Sequence, residues 1–203
     1  MNNNPIGVYD SGFGGLSVWR ELYRALPEES IVYLGDGKNC PYGSLSAERI
    51  RDFATKSVEE LLAKGCKMIV VACNTATAAA ISVLREEFPV KFIGMEPAIK
   101  PAALNTRTGV VGVLATAGTL KAVKYLDTRE KYSGGVRIVE HVGQGFVELV
   151  ERGETSGPEV ERMVWVTLDE YKNKQAGESV ICARTQAGEK ITIDCDQWCP
   201  HPE

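Results

Sequence analysis

The 203-residue chain has little that would tie it to a membrane or to nucleic acid. No apolar run approaches the roughly 20 residues that a bilayer-spanning helix needs, and the opening MNNNPIGVYD lacks the charged start and apolar stretch of a secretory signal. A cytosolic location is the expectation. Lys and Arg number 23 against 27 Asp and Glu, a net charge of -4, and the two signs are interspersed rather than gathered into a basic stripe that could track phosphates. Neither nucleic acid nor membrane is an expected partner. Histidine is scarce: only His141 and His201 are present, and neither sits where a cysteine hydrolase would need its base. The glycine-rich DSGFGG fits neither the P-loop spacing nor G-x-G-x-x-G, so nucleotide phosphate binding lacks support. The thiol Cys73 has no second cysteine nearby, which argues against a thioredoxin-like pair and against zinc.

What is present is ordinary for a globular protein: 44% apolar and 25% charged residues, enough for one larger domain or two small ones. Six cysteines without an export signal read as reduced thiols. Cys40 and Cys66 read as small, semi-buried residues. The apolar run from Ile6 to Tyr9 predicts a strand, DSGFGG a turn, and LSVWRELYRAL a helix stopped by Pro27. SIVYLGD is a second strand, CPYGSLS a loop, and AERIRDFATKSVEELLAKG a long amphipathic helix closed by Gly65. KMIVVAC, TATAAAISVLREEF and VKFIGMEP continue as strand, helix, strand. The pattern restarts with the strand TGVVGVLAT, the helix LKAVKYLDTREKY, the strand GVRIVEHV, the helical GFVELVERG, a helix from near Pro158 and the strand ESVIC.

Alternation of this kind, with near-continuous apolar strands, predicts an α/β fold of two similar domains, each a mostly parallel sheet flanked by helices. The expected division is 1–97 and 98–189, the second domain incomplete, with a tail at 196–203. The halves echo one another. Gly7-Val8 leads to Asp10-Ser11-Gly12 as Gly112-Val113 leads to Thr116-Ala117-Gly118, and each half places a thiol, Cys73 or Cys182, at the end of a later apolar run. Ligands of parallel sheets gather beyond the carboxyl ends of the strands, so these groups are expected at one mouth in each unit; if the two mouths face each other across a cleft, Cys73 and Cys182 could approach a bound molecule from opposite sides.

Cys73 is placed for reactivity, because a thiol just before a helix meets the dipole's positive end and unpaired N–H groups, which lower its pKa. Asn74 and Thr75, at the helix start, could hold a carboxylate. A buried structural cysteine with an N-cap is the competing reading. Asp10, at a strand end, could orient the thiol or hold an ammonium group.

The stretches PIGVYDSGFGGLSVWREL, GDGKNCPYGSLS, VVACNTATAAA, FIGMEPAIKPA, VVGVLATAGTL and GFVELVERGE, taken together and in this order, closely resemble glutamate racemase. The resemblance implies interconversion of L- and D-glutamate without a cofactor or metal, supplying D-glutamate for peptidoglycan, by a homodimer or related oligomer. It implies a thiolate that removes the α-proton and a second thiol that reprotonates the other face. Carried over by motif, Cys73 is the first catalytic cysteine, and Asp10 and Ser11 contact the substrate amine and assist it. Tyr42, Gly43 and Ser44 belong to the binding loop, Asn74 and Thr75 are substrate-binding neighbours, Thr116 and Thr119 are hydroxyls of the second domain, and Glu151 lies near the second catalytic side.

Cys182 aligns with the second cysteine, but its surroundings depart from the pattern. Ile181 stands for a glycine, Ala183 for a threonine, and Arg184 for the histidine that would tune the thiol. SVICARTQAGEKITIDC then reads as a β-hairpin around Ala187-Gly188, with a strand returning to the first domain at 190–195 as the alternative. A truncated or frame-shifted end after about residue 174 is a further expectation. An impaired amino-acid-binding or regulatory relative, and a racemase for aspartate, are the competing functions. Cys195, Cys199 and His201 read as a loose tail rather than a metal site.

Overall fold

The computed structural model describes residues 3–173, 180–184 and 190–191, with side chains as far as residue 169. The chain divides into two compact units, the first Met1–Glu96 and the second beginning at Pro97.

In the first unit β1 (Ile6–Asp10), α1 (Leu16–Ala25), β2 (Ile31–Gly35), a 3₁₀ turn at Tyr42–Ser44, α2 (Ala47–Ala63), β3 (Met68–Val71), α3 (Asn74–Glu87) and β4 (Lys91–Gly94) follow in order. The four strands are parallel in the order β2-β1-β3-β4. β1 is buried along its whole length, as expected of a central parallel strand covered on both faces. Its alternate side chains serve two cores. Tyr9 packs with Ile69, Val71, Val58, Leu61, Ala76 and Leu84, the layer under α2 and α3. Ile6 and Val8 pack with Val70 and Ala72 beneath Val18, Trp19 and Leu22 of α1. The helix ends follow local chemistry. Ser46 caps α2 by accepting from the Arg49 N–H. Gly65, at φ 79, closes it with the paired bonds Cys66 N to Leu61 O and Gly65 N to Leu62 O, the left-handed ending that glycine adopts without a Cβ penalty.

The second unit runs α4 (Ile99–Asn105), β5 (Val110–Ala115), α5 (Ala117–Leu120), α6 (Val123–Tyr132), β6 (Arg137–Val142), α7 (Phe146–Glu151), α8 (Pro158–Asn173), β7 (Val180–Arg184) and β8 (Lys190–Ile191). Its sheet has the order β6-β5-β7-β8. β5 pairs in parallel with both β6 and β7, so the first strand of each unit has its second and third strands as neighbours. Ile99, Ala102, Val111, Val113 and Tyr125 form the core.

The structure departs from the sequence reading in two places. α4 was not expected; Pro101 is its third residue, a first-turn position whose N–H has no helical partner to lose. The helix predicted over LKAVKYLDTREKY breaks at Ala122, whose extended backbone (ψ 137) separates α5 from α6. At Lys190 and Ile191 the chain pairs antiparallel with Arg184 and Ala183 of β7. This antiparallel pairing agrees with the hairpin reading and not with a strand returning to the first domain; the turn around Ala187-Gly188 lies outside the described residues. Residues 192–195 and the tail with Cys195, Cys199 and His201 lie outside the described residues. Among the described residues, no helix is long and apolar enough to cross a bilayer.

Leu61 is fully buried under β1 and β3, whereas Leu104 is exposed on α4. Leu61→Ala is therefore expected to cost about 2 to 4 kcal/mol and Leu104→Ala less than about 0.5, read from urea unfolding followed by circular dichroism.

Candidate active site

Register builds the first mouth. Tyr9 is level with Val71, and Ala72 N–H donates to the Tyr9 carbonyl at 2.8 Å. Two residues beyond that pair, Ser11 and Cys73 come side by side, with Oγ and Sγ 3.4 Å apart. β3 ends at Val71, so Cys73 is the N-cap of α3, and its sulfur accepts from the Ala76 N–H at 3.3 Å. Asp10, only 6% exposed, accepts from the Gly12 N–H at 3.0 Å. The loop between is held from the side by the Tyr33 hydroxyl, which donates to the Gly12 carbonyl at 2.6 Å. Gly15 is a glycine for want of space: a Cβ there would stand 2.6 Å from the Asp10 Cβ and 3.0 Å from that of Ala72.

The expected lowering of the Cys73 pKa is corrected by these surroundings. Cys73 is 7% exposed, and burial pushes its thiol up to about 11, with the Asp10 carboxylate adding to the rise. Hydrogen bonds from the Ser11 side chain and from the Ala76 and Ser11 backbones work the other way without offsetting it. The helix start is where the sequence put it, but desolvation of the charged form outweighs it. A thiol raised this far is protonated at neutral pH.

Asn74 is exposed and Thr75 buried in the first turn of α3. Tyr42, 1% exposed, turns its hydroxyl into the core, whereas Gly43 is half-buried and Ser44 exposed. Sequence reasoning missed what holds Tyr42. Tyr9 donates to its hydroxyl at 2.8 Å, and Tyr42 in turn donates to Asp36 Oδ2 at 2.6 Å. The only sequence signal was Asp36 just past the second strand.

In the second unit Thr116 caps α5, accepting from the Thr119 N–H at 3.3 Å, and the two hydroxyls are 3.0 Å apart. Thr119 is buried, and half-buried Glu151 ends α7. Cys182 lies in β7 with its backbone level with Val113, three residues before Thr116. Cys73, by contrast, is level with Ser11, beyond the end of β1. The two cysteines hold different depths in their own sheets, a difference of about 10 Å along a strand.

The family model described as Asp/Glu/Hydantoin racemase matches residues 7–182. Glutamate racemase of Ectopseudomonas mendocina is 51% identical over 155 residues, 76% of this chain and 59% of that protein. The glutamate racemase of Deinococcus radiodurans is 45% identical over 179 residues, 87% of this chain and 62% of that protein. The chain thus spans about three fifths of the length of these relatives. Among solved structures, the glutamate racemase of Francisella tularensis in complex with D-glutamate aligns with TM-score 0.74 at 31% identity, covering 88% of this chain and 67% of that one. The Escherichia coli glutamate racemase, in complex with L-glutamate and the activator UDP-MurNAc-ala, aligns with TM-score 0.74 at 33% identity, covering 81% and 64%.

Site-resolved alkylation of Cys73 against pH is expected to show a midpoint near 11. Asp10→Asn removes a charge that raises the pKa and moves the midpoint down; Ser11→Ala removes a hydrogen bond that lowers it and moves the midpoint up. A midpoint below the ordinary 9.0 would show that the helix start dominates after all.

Proposed function

The chain belongs to the Asp/Glu/Hydantoin racemase family, and from that premise we propose that it is a glutamate racemase working by cofactor-independent proton transfer. The observation that carries the reading is the buried group of Asp10, Ser11 and Cys73, a protonated thiol touching a hydroxyl beside a carboxylate. An α-ammonium docked on Asp10 would cancel the charge that helps hold Cys73 protonated, so arrival of the substrate itself favours release of the thiol proton to water and leaves the thiolate. The thiolate then takes the α-proton, forming S–H and leaving the electron pair on the α-carbon. Reprotonation from the opposite face completes inversion, and in this reading Cys182 supplies that proton. Because the α-proton is weakly acidic, positioned donors and exclusion of water carry much of the rate.

Asn74 and Thr75 at the start of α3 suit a substrate carboxylate, and Gly43 and Ser44 border the same unit's mouth beyond the buried Tyr42. Thr116, Thr119 and Glu151 are the second unit's substrate-binding groups. The relatives crystallised with D- or L-glutamate, together with the CPYGS stretch, favour glutamate over aspartate. The product D-glutamate would serve peptidoglycan synthesis in the cytosol, and the working form would be a homodimer.

The register of β7 favours a second reading. With Cys182 level with Val113 and Arg184 in place of the family's histidine, reprotonation would come only from the Cys73 side. The enzyme would then exchange the α-proton of one enantiomer without inverting it.

Incubation of each glutamate enantiomer in deuterium oxide, with α-proton exchange and optical rotation both followed, separates the two. The racemase exchanges and inverts both enantiomers and loses inversion in Cys182→Ala. The one-sided enzyme exchanges a single enantiomer with retention and is indifferent to that change. Cys73→Ala is expected to lower exchange by about a thousandfold in either case, and no exchange in the unaltered chain would sink the enzyme reading.

A further inference from the structure

The Tyr42–Ser44 turn is tied to the strand end that carries Asp10 and Ser11 through Asp36 and through Tyr9. Its backbone N–H donates to the Asp10 carbonyl at 2.9 Å. Its carboxylate accepts from the Tyr42 hydroxyl at 2.6 Å and from Asn39 Nδ2 at 2.9 and 3.0 Å. The Tyr42 hydroxyl also accepts from Tyr9, the residue before Asp10 on β1, at 2.8 Å. Tyr9, Tyr42 and Cys73 belong to one packed cluster, and the Tyr42 ring lies 5.8 Å from that of Phe53. Both phenols are almost wholly buried, which keeps them neutral and commits the Tyr42 hydroxyl to partners inside the protein.

We propose that Asp36, Tyr42 and Tyr9 are positioning residues that clamp the Tyr42–Ser44 turn to the Asp10 strand end, so that the turn meets the ligand with its backbone and Ser44 rather than with the Tyr42 hydroxyl. The inference rests on glutamate being the ligand of this mouth. The clamp is directional: a phenol donating to a carboxylate is a charge-assisted hydrogen bond, stronger than a neutral one and costly to break inside a core. Because Asp36 holds Asp10 through the main chain and Tyr42 through the side chain, the turn and the strand end would be fixed as one piece. Losing the side-chain link frees the turn while leaving the Cys73–Ser11 pair in place.

The test is protection of Cys73 from iodoacetamide by D- or L-glutamate, resolved to the Cys73 peptide by mass spectrometry and reported as the glutamate concentration that halves the labelling rate. Tyr42→Phe and Asp36→Ala are each expected to raise that concentration about tenfold, while Asp36→Asn, whose amide oxygen still accepts from Tyr42, stays within about threefold. A merely structural role gives a lower thermal midpoint with an unchanged half-protecting concentration, and that result overturns the inference. Tyr42→Phe keeps the ring and its packing, so it decides alone should Asp36→Ala not fold. If glutamate fails to protect the unaltered chain, the glutamate reading falls and takes this inference with it; protection that is equal in the unaltered chain and Tyr42→Phe overturns the inference alone.

Discussion

Parallel pairing of β1 with β3 in one register is the constraint on which the chemistry of the first unit depends. Ser11 and Cys73 lie 62 positions apart, the same offset that joins Ile6 to Met68 and Tyr9 to Val71 in the sheet. A slip of one residue would turn every side chain of the strand to the other face: Tyr9 would leave the core under α2 and α3, and Val8 the one under α1. The two apolar layers therefore hold the register, and the register holds the thiol against the hydroxyl. Packing far from any ligand sets a distance at the mouth.

The same packing decides the charge of the thiol. Helix starts favour anions, and Cys73 does receive the Ala76 N–H. Yet a sulfur this deeply covered, beside a carboxylate, loses more in hydration than two amides and one hydroxyl return. A thiol held protonated in this way is guarded against alkylation and oxidation, since the thiolate is the reactive form. Gly15 completes the arrangement, because only a residue without a Cβ lets the loop close on Asp10 and Ala72.

Much of this was readable in the sequence, for physical reasons that differ by element. Strands such as IGVYD and MIVV are apolar on both faces, and α2 carries its own cap and its own glycine stop, so local pattern sufficed. α4 was missed because a proline in a short segment reads as a breaker, although a first-turn position tolerates it. The placement of Cys73 before a helix was readable, but its pKa was not, since burial and the Asp10 charge come from tertiary structure. The Tyr9–Tyr42–Asp36 chain was invisible for the same reason: its members lie 33 and 6 positions apart, and no local pattern marks a hydroxyl that faces inward.

The two units also show how a sequence echo can hold for topology and fail for chemistry. Central strands β1 and β5 have equivalent neighbours, and Ser11 and Thr116 follow them at matching positions. What differs is the offset to the third strand: 62 residues from Ile6 to Met68, 69 from Val111 to Val180. Counting along the chain, Cys182 follows Thr116 by 66 and looks like the counterpart of Cys73. Counting along the sheet, it pairs with Val113, three residues before Thr116. A residue within a strand has its backbone committed to the sheet, whereas one past the strand end is free to cap a helix as Cys73 does. Equal spacing in sequence becomes equal placement in space only if the register is also equal, and in the second unit it is not.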